Sequence, residues 1–146
     1  MTRELNFRQS FSTQFETATS FNRTSYPDIG KLAPSDFPCF AITLGHTKYS
    51  VLDPLGQPTV GEQSFLLTVF FSVPEMSPET LLQYRSDYLN AVELFVSSSY
   101  APPPAAPGET YRITHSQLVK INSPVLSKSM TRFSVTAECS YFFSIL

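Results

Sequence analysis

Apolar residues recur along this chain with two different periods, and the switches between them mark out its elements. In the first 25 residues, Phe7, Phe11, Phe15 and Ala18 stand at i, i+4, i+8 and i+11 in an otherwise polar, Ser/Thr-rich stretch. That spacing is one face of a helix. Ser and Thr are mediocre helix formers, so such a helix depends on docking its phenylalanines. The alternative is an extended arm whose rings enter pockets on a neighbour. Tyr26-Pro27-Asp28-Ile29-Gly30 ends the segment, and residues 31–38, with Pro34 and Pro38, read as an extended connector.

The period then shortens to two. Phe37 to Leu44 and Thr47 to Leu52 alternate apolar with polar positions and are expected to form a hairpin that reverses at Gly45-His46. Residues 53–62 hold two prolines and two glycines and read as a long loop, either an interaction loop or a floppy connector. Ser64 to Val73 is the densest apolar run, a strand expected to be covered on both faces, one of them by a long helix.

That helix, about 78–97, is well marked at its start. Ser77 suits an N-cap, Pro78 the first helical position and Glu79 the positive end of the helix dipole. Leu81, Tyr84, Tyr88, Val92 and Phe95 make its apolar stripe, flanked by Leu82, Leu89 and Val96. Four prolines in the Tyr100–Gly108 segment forbid helix or central strand and predict a stiff surface bend. Residues 110–121 alternate in part. Residues 131–145 alternate cleanly, with Phe133, Val135, Ala137, Cys139 and Tyr141 on one face. The order of elements predicts an α+β fold. It is a mixed, mostly antiparallel sheet with the long helix and an N-terminal helix packed on it, in one domain spanning 1–146.

Composition narrows the function classes. Only 15% of residues are charged, against about 25% in a typical domain. Thirteen Phe and seven Tyr supply the apolar mass. The net charge of −2, with no run of Lys or Arg, argues against a general nucleic-acid binder. No apolar run reaches membrane-spanning length. MTRELNFRQSFSTQ lacks the apolar stretch of a signal peptide, which points to folding in a reducing cytoplasm. Cys39 and Cys139 fit no zinc or redox spacing and read as buried thiols, or as a disulfide if their strands are neighbours. His46 and His115 are isolated from any triad pattern, and the five glycines are too dispersed to cradle a phosphate. No catalytic, cofactor-binding or metal-ligating residue can be nominated, and no cofactor is expected. Weight moves to a structural or binding protein.

The layout has a likeness. It runs from a Tyr-Pro segment after an N-terminal helix to a hairpin and an apolar strand. A helix beginning PETLLQYRSDYLNAV follows, then a strand holding YRITHSQLVKI and a last strand reading TRFSVTAECSYF. In order and size it resembles the small tail-terminator, or tail-completion, proteins of tailed bacteriophages, over most of residues 24–145. The resemblance rests on element order and carries over no catalytic residue. It implies a mixed sheet backed by helices and six copies in a ring. That ring caps the tail tube, stops its polymerisation and joins tail to neck in the virion, after assembly in the host cytoplasm. Expected partners are further copies, the tail-tube protein, neck or head–tail connector proteins and sheath, with no sequence-specific nucleic acid and no membrane. Candidate contacts are Phe7, Phe11 and Phe15 in the arm, Leu55 and Val60 in the 53–63 loop, and Tyr100 and Pro103 in the Pro-rich 100–108 segment. That Pro-rich segment departs from the family's pattern. The competing readings are another neck connector or minor tail protein of similar fold, and a small-molecule-binding α+β domain.

Overall fold

The phenylalanine stripe forms a helix, and the helix docks on the chain itself. In the computed structural model, which describes residues 2–24, 33–72, 78–105, 107–126 and 132–145, α1 runs from Arg3 to Thr19. Thr2 caps its start by accepting the Leu5 backbone N–H at 3.2 Å. Ser20, left-handed at φ 62°, closes its end by donating its N–H to the Glu16 carbonyl. Two caps and three docked rings offset the weak propensity of the intervening Ser and Thr. Ala18, expected on the same face, is exposed, because the stripe ends where the helix leaves the sheet.

In chain order there follow β1 (Asn22–Arg23), a 3-10 turn (Pro34–Asp36), β2 (Cys39–Leu52) and β3 (Pro58–Ser72). Next come α2 (Pro78–Leu94), which runs into a π turn (Phe95–Ser99), and then β4 (Tyr111–Ile121), β5 (Val125–Leu126) and β6 (Arg132–Ile145). The expected break at Tyr26–Gly30 and the Ser77 N-cap lie outside the described residues.

The sheet is ordered β1-β2-β3-β6-β4, with β5 continuing the β4 side of β6. Among the described residues, only the short β1–β2 pairing is parallel. The fold is thus α+β, a curled, mostly antiparallel sheet with two helices on one face.

Three expectations need correction. Gly45-His46 does not reverse the chain, because β2 is one strand from Cys39 to Leu52 and the dipeptide is a bulge within it. Gln63 explains why the bulge holds. Its fully buried amide donates to the carbonyls of Gly45 at 2.7 Å, His46 at 3.2 Å and Ser64 at 3.1 Å, and it accepts from the Thr47 hydroxyl. The expected long loop is instead a tight turn at 53–57. There the Asp53 carboxylate accepts the N–H groups of Leu55 and Gln57, and Gly56 takes φ 80°. β3 therefore starts at Pro58, six residues early.

The third correction concerns burial. Phe65, Leu67, Val69 and Phe71 face the helices and are buried, but on the opposite face Leu66 is exposed. Among the described residues, cover on that face is seen at one corner, where Phe37 packs on Cys39, Ala41 and Phe70. On β6 the expected alternation is complete: Phe133, Val135, Ala137, Cys139, Tyr141 and Phe143 all enter the core. In α2, Tyr88 and Val92 are buried with Phe95 and Val96 of the π turn, while Leu82 is exposed.

Candidate functional site

Most of the described aromatic rings share one interior. Phe7 stacks on Tyr141 with ring centres 4.0 Å apart, and Phe11 meets Phe65, Phe95 and Tyr100 at 5.3, 5.0 and 5.2 Å. Phe15 packs edge-on against Phe40 and Phe95. All three α1 phenylalanines are fully buried, so none offers surface to a neighbour. Tyr100, another candidate contact, closes the same cluster and shares a 2.8 Å hydrogen bond with Ser10. The helix periodicity that singled these residues out reports burial, and burial within the chain and against a partner have the same spacing.

The remaining candidates are on the outside. Leu55, at the tip of the β2–β3 turn, is 86% exposed. Val60 is half-buried in β3, opposite Val51 and Ser144. Pro103 lies with Pro102 and Pro104 along a groove of about 390 Å³ whose other wall is Arg112, Ile113 and Thr114 of β4 with Ser144 of β6. The start of this Pro-rich run is pinned to α1 by Gln14, whose side-chain amide both donates to and accepts from the Ala101 backbone at 2.7 and 2.9 Å.

Residues that the sequence did not single out complete this surface. Tyr49 is 49% exposed and packs edge-on to Phe143, and Leu52 is 62% exposed. With Leu55 they make the distal end of the hairpin apolar. The signal that placed them was hidden, because the bulge at Gly45-His46 changes which face each later residue of β2 occupies.

The reactive groups are turned inward. Burial, with Asp36 nearby, pushes the Cys39 thiol up to about 11, and burial beside Glu138 pushes Cys139 up to about 12. Both stay protonated near neutrality and lack the thiolate that nucleophilic attack needs. They lie in separate clusters on opposite faces of the sheet and are free thiols, which answers the disulfide question. Burial also raises Tyr88, Tyr100 and Tyr141. Ser64 Oγ lies 3.2 Å from His46 Nδ1, but the same oxygen accepts the His46 backbone N–H at 2.9 Å, so it braces the bulge. No group of three His, Cys, Asp or Glu able to hold a metal occurs among the described residues. No helix among them is long and apolar enough to cross a membrane. Comparison with protein-family models and with curated proteins returns no match.

Proposed function

We propose that this chain is a structural subunit of a bacteriophage tail, a terminator. Its copies form a ring that caps the tail tube, stops polymerisation and joins the tail to the neck. The observation that carries the reading is the distal hairpin. A chain with a closed aromatic core still leaves Tyr49 half-exposed and Leu52 and Leu55 largely exposed, all between the end of β2 and the turn into β3. Grouped apolar exposure of this kind marks a surface that is covered in use. The order of elements and the helix-backed mixed sheet fit what the resemblance implies.

Negative-stain images and native mass spectrometry test this on the full chain, alone and mixed with tail tubes purified from virions that carry it. Rings at the tube end support the terminator. Monomers in both samples, with bare tube ends, overturn it. A ring found away from the tube end in a virion map transfers the role to a neck connector.

A further inference from the structure

Two lateral edges of the sheet are open, and both lie at the same height along the strands. On one side, β1 covers β2 only at Cys39 and Phe40, and Arg8 Nη2 donates to the Ile42 carbonyl at 2.7 Å. From Thr43 to Leu52 the outer edge of β2 has no strand partner among the described residues. On the other side, the outer edge of β4 is open in the same sense from Tyr111 to Ile121.

Register sets their heights. Leu44 stands opposite Phe65 of β3, and Leu118 stands opposite Cys139, which itself pairs with Phe65. Tyr49 stands opposite Gly61, and Ile113 opposite Phe143, which pairs with Gly61. Leu44 and Leu118 are thus level with each other, as are Tyr49 and Ile113.

Between those two levels each edge carries one extra residue. From Leu44 to Tyr49, β2 takes five steps where β3 takes four, from Phe65 to Gly61. From Ile113 to Leu118, β4 takes five steps where β6 takes four, from Phe143 to Cys139. A bulged edge normally discourages strand addition, because its spacing no longer fits a regular strand. Here each edge carries one extra residue between the same two levels, β2 beside Leu44 and β4 beside Ile113, so the two strands leave the interval level with each other. The further shifts fall outside it, after Tyr49 in β2 and after Leu118 in β4.

Direction agrees too. β2 is antiparallel to β3, β3 to β6 and β6 to β4, so β2 and β4 point in opposite directions. A rotation about an axis parallel to the strands keeps those directions, so it sets β2 of one copy antiparallel to β4 of the next.

The geometry points to β-sheet continuation between copies: Leu44–Tyr49 of β2 in one copy pairs with Ile113–Leu118 of β4 in its neighbour. Leu44 comes beside Leu118 and Tyr49 beside Ile113 on the helix side, apolar against apolar. The two edges are different surfaces, so the contact is heterologous and propagates head to tail, closing as a ring or extending as a filament. This assignment rests on the reading of the chain as a ring subunit and names the surfaces that such a ring uses.

Cross-linking tests it on the full chain. Arg112 is level with Val51 through Ser144 and Val60, and Ser50 is the extra residue just before Val51. Both Ser50 and Arg112 are exposed and take the substitutions S50C and R112C. Paired antiparallel strands bring Cα atoms to about 4.5–5.5 Å, within disulfide reach. Under mild oxidation, a mixture of the two single variants is expected to yield covalent dimers, and the S50C/R112C chain a ladder of higher species. Either single variant alone, and S50C mixed with Q83C on exposed α2, is expected to yield no more dimer than the unsubstituted chain. The pair L44C and L118C gives an independent reading of the same register. Dimers from either single variant overturn the proposal in favour of a symmetric contact. Rings in images without cross-links from either pair overturn the strand pairing and leave the ring standing. Ladders with open filaments and no rings keep the pairing and defeat the terminator. Monomers without cross-links defeat both.

Discussion

Phe11 and Leu55 mark the two ends of what a single apolar side chain does in this molecule. Phe11 sits among five other aromatic rings and is wholly excluded from water, while Leu55 touches little but solvent. Phe11→Ala is expected to lower unfolding free energy by about 3–5 kcal/mol in urea titrations, from lost transfer energy and the cavity left behind. Leu55→Ala is expected to stay within about 0.5 kcal/mol of the parent. The buried thiols add a pH dependence. Cys39 is raised from 9.0 to about 11, so the native state holds its proton after the unfolded chain has lost it. That contribution is complete below pH 9.0 and is lost as pH rises to about 11. Stability is expected to fall over this window, and Cys39→Ala to flatten the fall in denaturant titrations at stepped pH.

Among the elements, the β2–β3 hairpin depends most on one polar residue. Gln63 satisfies the carbonyls that the Gly45-His46 bulge turns inward, and it is buried while doing so. Gln63→Leu keeps the volume and removes the donors. It is expected to cost about 1–3 kcal/mol from unsatisfied buried carbonyls. Hydrogen exchange at Gly45–Thr47 is expected to quicken before the rest of β2. The bulge also decides which side of the sheet Tyr49 and Lys48 occupy, so a local defect here propagates to the hairpin's distal face. α1 depends on docking: its interior Ser and Thr contribute little, and the caps at Thr2 and Ser20 only set its ends.

For the whole molecule, the division is between a closed helix side and a laterally open sheet with an apolar hairpin end. Replacing Leu52 and Leu55 together by Asp puts two charges on that end without touching the core. Assembly measured by native mass spectrometry is expected to weaken at least tenfold, while the urea midpoint of the monomer moves little. An equal loss in both measurements would assign those leucines to folding instead.

The periodicities of α1, α2 and β6 were legible because each is an amphipathic element with one covered side, and a covered side writes its period into the sequence. The α+β class followed from their order. The path of β2 was not legible. Gly45-His46 carries the same residues in a turn or a bulge, and only Gln63, eighteen residues after Gly45, decides between them. Tyr49 and Leu52 could not be placed beside Leu55 at the hairpin end for the same reason, since the face of Tyr49 depends on that bulge. Nor could the sequence tell Phe7, Phe11 and Phe15 in their own core from the same rings in a partner's pocket, because the hydrophobic effect is indifferent to which chain supplies the wall. The sequence by itself determined which elements exist and which of their sides avoid water. Tertiary structure alone decided what covers each side and which edges stay open, because those depend on contacts between residues far apart in the chain.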